Sequence, residues 1–126
     1  MSDKTIKRTV IIGATANRAR YAYLAAMMLT EAGHPIIPVG IKKGDVLGDE
    51  ILDIRTRPQI PDVDTITLYI NASRQAEWQD YILDLYPKRI IFNPGAENEV
   101  LRAKAEKLDI RTENACTLVL IQTGQY

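Results

Sequence analysis

Cysteine, histidine and tryptophan each occur once in this chain of 126 residues. A lone cysteine cannot close an internal disulfide, and without a CxxC pair no thiolate set exists to hold zinc. Net charge is equally absent: 16 Lys and Arg balance 16 Asp and Glu, and the pI is about 6.6. A general nucleic-acid binder normally carries a basic excess, so that class loses ground. No apolar run approaches the ~18 residues that cross a bilayer, and the opening MSDKTIKRTV lacks the apolar core of a secretory signal. The expectation is a cytoplasmic location. What is present, 46% apolar and 25% charged residues, is the composition of a globular domain rather than a disordered chain. The length fits one domain, residues 1–126.

Thr9-Val10-Ile11-Ile12, closed by Gly13, is continuously apolar, as a parallel strand buried on both faces requires. Tyr21, Leu24, Ala25, Met28, Leu29 and Ala32 then recur at helical spacing, and Gly33 stops that helix. Residues 35–39 read as a second strand, its prolines tolerable near strand ends. Gly40 to Asp45 form a polar loop, and 46–52 a further loop with a little extended structure. Residues 64–70 are rich in β-branched side chains and read as a third strand. Trp78, Tyr81, Ile82 and Leu85 mark a helix over about 73–86. Arg89-Ile90-Ile91-Phe92 is a fourth strand, and Leu101, Ala105 and Leu108 stripe the next helix, with Glu97 and Glu99 in its first turn. A brief fifth strand over 109–112 and a short helix or turn over 115–121 complete the chain. Asp62 and Asp64, flanking a valine before a strand, read as a solvated turn, and Trp78 and Tyr81 as helix packing.

Alternating strands and helices predict an α/β three-layer sandwich with a mainly parallel five-stranded sheet. Such sheets bind ligands beyond the carboxyl ends of their strands. Three loops reach that edge: 13–20, 40–45 and 93–98. The first offers backbone N–H groups, the Thr15 hydroxyl and two arginines, Arg18 and Arg20, at a helix start, which is a phosphate seat or a plain turn. Its glycines fall short of GxGxxG, because Ala14 follows Gly13. The second loop has Lys42 and Lys43 where NAD-binding folds place an acid for the adenosine ribose. Lysines suit a phosphate on that ribose, as in coenzyme A or NADP; the bland alternative is a pair of surface lysines. The third loop, Asn93-Pro94-Gly95-Ala96-Glu97-Asn98, either helps position a diphosphate or pantetheine arm or is a tight turn.

Four motifs in order, Val10-Ile11-Ile12-Gly13-Ala14-Thr15, Gly33-His34-Pro35-Ile36-Ile37-Pro38-Val39-Gly40, Asn93-Pro94-Gly95-Ala96-Glu97-Asn98 and Glu113-Asn114-Ala115-Cys116-Thr117-Leu118, resemble the stand-alone CoA-binding domain family. That family is similar to the nucleotide-binding domain of the succinyl-CoA synthetase α-subunit. The resemblance covers roughly residues 7–123 and implies a Rossmann-like fold that holds coenzyme A or an acyl-CoA noncovalently. It implies that Gly13, Ala14 and Thr15 line the diphosphate site with Arg20 close by. Val39 and Lys42 would then lie beside the adenine and the 3′-phosphate. Tyr69 and Ile70 would border the adenine or pantetheine path, with Gly95 and Glu97 opposite. The family often has Ser at the position of Thr15 and Asn-Pro at that of Gly40-Ile41.

Full synthetases add a phosphorylated histidine on another domain and an ATP-grasp partner, for which this chain is too short. Its one histidine, His34, falls at the edge opposite the three loops and reads as structural. Cys116 has no activating neighbour in sequence and reads as a small packed residue. No catalytic constellation or metal set emerges, so the reading is a binding protein rather than an enzyme. A small NADP-binding oxidoreductase-type domain and a scaffold with a vestigial nucleotide site are the alternatives. The apolar run Leu118-Val119-Leu120-Ile121 is either buried locally or feeds a homodimer contact.

Overall fold

The continuously apolar runs become strands, and the structure, a computed structural model that describes residues 5–126, arranges them as one parallel sheet. The first four residues, part of the opening read for a signal, lie outside the described residues. In chain order the elements are β1 (Thr9–Ile12), α1 (Tyr21–Glu31), β2 (Ile36–Gly40), β3 (Asp45–Val46), β4 (Asp49–Glu50) and β5 (Leu52–Asp53). There follow β6 (Thr65–Leu68), α2 (Ala72–Gln75), α3 (Gln79–Asp84), β7 (Arg89–Phe92), α4 (Glu99–Lys107), β8 (Arg111–Asn114) and α5 (Thr117–Gln122). The sheet order is β5-β2-β1-β6-β7-β8, every pair parallel, with Thr9 opposite both Ile36 and Thr65.

The expected class holds, with six strands instead of five. The added strand is β5, where Leu52 pairs with Val39 and Asp53 with Gly40. It comes from the stretch read as loop, as does the separate antiparallel hairpin β3–β4. Two-residue strands are too short to show an alternating pattern. The last strand begins at Arg111, two residues later than expected, because Asp109 takes a left-handed φ of 61°. There the Asp109 and Ile110 N–H groups donate to the Glu106 and Ala105 carbonyls, closing α4 in a Schellman turn. Gly33, at φ 91°, ends α1 the same way, with the His34 N–H donating to the Leu29 carbonyl.

Side chains alternate across the sheet and build one apolar cluster on each face. Val10, Ile12, Ile66, Leu68, Ile90 and Phe92 meet Trp78, Tyr81, Ile82 and Leu101 on one side. Ile11 and Ile36 meet Ala22, Tyr23, Ala26 and Leu29 of α1 on the other. Trp78 and Tyr81 therefore pack as expected. The buried band of α1 differs from the predicted stripe: Tyr21 is 71% exposed and Leu24 37%. Ala25 and Leu29 of that stripe are buried, and Ala22, Tyr23 and Ala26 complete the band that packs α1 against the sheet and α5. On α4, Leu101 and Ala105 are buried and Leu108 is exposed. The side chain of Asn98 caps that helix by accepting from the Leu101 N–H at 3.1 Å, so Glu97 precedes the helix and only Glu99 lies in its first turn.

The expected helix over 73–86 is broken by a 3-10 turn, Ala76–Trp78. The apolar run of α5 packs locally through buried Leu120 and half-buried Ile121, while Val119 points outward. At the amino-terminal end of the sheet, His34 Nδ1 accepts from the Lys7 N–H at 3.0 Å and its ring lies 5.1 Å from that of Tyr126. Beside them, buried Arg89 pairs with Glu113 at 3.2 Å and stacks 4.4 Å from the same tyrosine. Asp64 accepts from its neighbour Thr65 Oγ1 at 2.7 Å, and Asp62 takes φ 55°, so this pair forms a turn. No helix among the described residues is long and apolar enough to cross a membrane.

Leu101 is fully buried against the sheet, so Leu101→Ala leaves a cavity and costs about 2–5 kcal/mol in urea denaturation. A loss under about 1 kcal/mol would contradict this packing.

Candidate functional site

Everything at the carboxyl edge begins with the way the β1–α1 loop leaves the sheet. Gly13 turns the chain at φ 94°, and a Cβ there would sit 2.9 Å from Ile70 Cγ2 and 3.1 Å from the Tyr69 backbone. Only glycine fits so close a crossing. Gly40 at the end of β2 serves the same approach from the other side, because its Cβ would lie 3.3 Å from the Ala14 carbonyl. The Gly13 and Ala14 N–H groups both donate to the Val39 carbonyl, at 3.0 and 3.1 Å. Those two donors, read from sequence as part of a phosphate seat, are therefore spent in tying the loop to β2.

The open donors come later. Thr15 Oγ1 accepts from the Asn17 N–H, and the Asn17 side chain and carbonyl accept from Ala19 and Arg20, which winds the loop into the helix. Helix α1 then starts with Arg20 at its N-cap, no capping side chain and no acid in its first turn. The Tyr21 and Ala22 N–H groups find no acceptor among the described residues. An arginine at the positive end of a helix is electrostatically adverse unless an anion joins it.

This helix start faces a cleft of about 700 Å³. Ile12, Gly13, Ala14 and Thr15 line it from β1 and its loop, and Arg20, Tyr21 and Ala22 from α1. Gly40, Ile41 and Lys42 come from beyond β2, with Ile54 nearby. The far wall is Tyr69, Ile70, Arg74, Glu77 and Trp78. A smaller adjoining hollow of about 380 Å³ is bordered by Lys42 and also by Lys43, Glu50, Asp53 and Arg55. The lysine pair thus divides: Lys42 borders both spaces, Lys43 only the smaller. Asp53 and Arg55 pair at 2.9 Å, and that guanidinium holds the Asp53 carboxyl below its usual range.

Of the residues named from sequence, Gly13, Ala14, Thr15, Arg20, Lys42, Tyr69 and Ile70 come together around the cleft. Val39 is fully buried beneath it and acts through its carbonyl. Gly95 and Glu97 are not among the lining residues; Glu97 Oε1 accepts from the Gly95 N–H at 2.8 Å in an exposed local turn. The rest of that third loop is knitted into the scaffold. Asn93 Nδ2 donates to Thr67 Oγ1 and the Leu68 carbonyl at 2.7 and 2.9 Å, and its Oδ1 accepts from the Thr117 N–H at 2.8 Å. Buried Gln75 donates to the Ile70 and Ala96 carbonyls at 2.8 and 2.7 Å and accepts from Asn98 Nδ2 at 2.9 Å. The loop braces the wall of the cleft instead of facing it.

Tyr21, Ile41, Arg74 and Glu77 were not named as site residues from sequence. Tyr21 was read as core, and Arg74 and Glu77 carry no motif. No sequence signal marks them; Trp78, on the 3-10 turn between α2 and α3, belongs to the core cluster and also borders the cleft. Cys116 is half-buried just before α5 and does not line the cleft.

Burial pushes the Tyr69 hydroxyl from 10.0 up to about 12. The hydroxyl has no hydrogen bond of proper geometry, although the Thr67 and Thr117 hydroxyls, bonded to each other at 2.8 Å, lie close enough to lower that value slightly. The folded chain therefore keeps a proton that the unfolded chain releases. This contribution to stability is complete below pH 10 and is lost as pH rises through about 12. In denaturation at alkaline pH, Tyr69→Phe should lose less stability over that interval than the unmodified chain. An unchanged profile would contradict the burial of this hydroxyl.

Residues 7–122 match the CoA binding domain family. The fold superposes with TM-score 0.94 on a crystal structure of an uncharacterised protein that is 50% identical, covering 98% of this chain and 100% of that one. A hypothetical protein from Pyrococcus horikoshii OT3 matches with TM-score 0.79 and 21% identity, over 94% of this chain and 83% of that one. A Thermus thermophilus protein matches with TM-score 0.83 and 18% identity, over 96% and 91%. The last two share the fold alone. No curated protein matches. With a family match spanning nearly all of its length and a half-identical structural relative, the chain belongs to the CoA binding domain family.

Proposed function

We propose that the cleft binds coenzyme A or an acyl-CoA noncovalently, and that the chain acts as a binding protein without chemistry of its own. The carrying observation is the uncapped start of α1, where Arg20, Tyr21 and Ala22 line the cleft and two backbone donors have no acceptor among the described residues. Such an end is a seat for a phosphate oxygen. Three cations border the same space, Arg20, Lys42 and Arg74, against one carboxylate, Glu77. That excess favours a polyanion, and coenzyme A brings a diphosphate and a 3′-phosphate.

In this reading the open donors of α1 and Arg20 take the diphosphate, and Lys42 takes the 3′-phosphate. Gly13 and Gly40 let the first loop pack against Tyr69, Ile70 and the end of β2, which sets the floor of the cleft. Ile70, Ile54 and Trp78 give the pantetheine arm an apolar bed, the usual lining of a cofactor site. The family match supports coenzyme A over other phosphorylated nucleotides.

Isothermal titration with coenzyme A, dephospho-CoA and NADP tests this. Coenzyme A should bind, dephospho-CoA should bind about tenfold or more weakly, and Lys42→Glu should abolish most of that difference through loss of a charge-assisted contact. Absence of heat with millimolar coenzyme A would refute the reading. Equal affinity for dephospho-CoA would remove Lys42 from the ribose phosphate.

A further inference from the structure

We infer that the outer face of α1 is a dimer interface, on which a second copy of this chain packs antiparallel and brings its Glu31 to Arg20. This stands independently of the ligand reading. Its first support is an absence of charge: Tyr21 to Thr30 contain no Asp, Glu, Lys or Arg. A surface helix ordinarily turns a charged face to water, as α4 does with Glu99, Arg102, Lys104, Glu106 and Lys107. On α1 the side turned away from the buried band is apolar as well. Tyr21, Leu24 and Met27 are exposed there and Met28 is half-buried. At helical periodicity these four share one face, opposite Ala22, Ala25, Ala26 and Leu29.

The charges at the two ends of this stripe identify what fits it. Arg20 stands just before α1 and Glu31 is its last residue; both are exposed. Neither has an ion-pair partner among the described residues. When two identical helices cross antiparallel, the cation at the start of each meets the anion at the end of the other. A two-fold axis midway between Leu24 and Met27 sets Leu24 against Met27 of the second copy. That same axis sets Arg20 against Glu31 of the second copy. One register thus satisfies the apolar centre and both charged ends, which is the self-complementarity a two-fold contact requires. Antiparallel helix dipoles attract as well. A lipid surface fits less well, because helices that lie on membranes carry Lys and Arg along their flanks, and α1 has none between its ends. Arg20 also lines the cleft, so the ion pair joins the interface to the rim of that space.

Sedimentation velocity of the full chain from about 10 μM to about 1 mM tests this, a range that suits the small interface of one helix pair. The unmodified chain should pass from monomer to dimer across it. Leu24→Glu puts a carboxylate at the centre of the stripe and should weaken association by about tenfold or more. Arg20→Glu and Glu31→Arg each bring like charges together and should weaken it when studied alone. Both reversals suit the helix dipole, so the fold tolerates them, and circular dichroism checks that every variant keeps its helices. Mixed in equal amounts, the two charge variants present opposite signs at both ends and should associate again. A monomer at every concentration would overturn the proposal and leave the face to a different protein. A dimer that Leu24→Glu leaves intact would overturn it too, since another surface would then make the contact. Charge variants that associate unchanged, or a mixture that restores nothing, would refute the antiparallel register.

Discussion

The Val39 carbonyl, accepting from both Gly13 and Ala14, is the contact on which the site depends. It pins the first loop to the end of β2 at the point where Gly13 turns at positive φ. With the loop fixed there, α1 must start over the carboxyl edge of the sheet. The consequence is spatial: the two donors nearest the sheet are used, while those of Tyr21 and Ala22, residues that line the cleft, have no acceptor among the described residues. Fold and site are thus one construction. The Val39 carbonyl takes the Gly13 and Ala14 donors out of reach of a ligand.

Charge follows the same division between whole and part. The chain as a whole is neutral, which removes the long-range pull on polyanions that a basic protein exerts. At the cleft, three cations stand against one carboxylate. Attraction is therefore confined to a space about the size of a cofactor. At the other end of the sheet, buried Arg89, partly exposed Glu113 and the ring of Tyr126 form a polar cluster of a different kind. Its ion pair joins the start of β7 to β8.

Much of this was legible in the sequence. The central strands β1 and β7 carry the apolar runs Val10-Ile11-Ile12 and Ile90-Ile91-Phe92, and β6 is rich in β-branched residues, patterns that suit burial on both faces of a parallel sheet. Gly33 and Gly13 could be read because each marks a backbone turn that other residues resist. The helix face of α1 was legible in part: Ala25 and Leu29 are buried as expected, but the buried band turns toward Ala22, Tyr23 and Ala26 and leaves the Tyr21 ring outside. Strand β5 and the hairpin before it were hidden because two-residue strands have no period. Asn93 read as a ligand-loop residue, whereas its amide is a buried bracket between β6, β7 and α5. Arg74 and Glu77 could not be placed, since one lies on the short α2 and the other on the 3-10 turn after it, where a single longer helix was expected and no glycine or proline announces the break.

The central claim is that the amino end of α1 is open and waits for a phosphate. Amide proton–nitrogen correlation spectra recorded during addition of coenzyme A examine it directly. The account expects the Tyr21 and Ala22 amide protons to move strongly downfield on binding, with Gly13 and Ala14, already bonded to Val39, moving far less. Saturable binding that leaves the Tyr21 and Ala22 amides in place would contradict it.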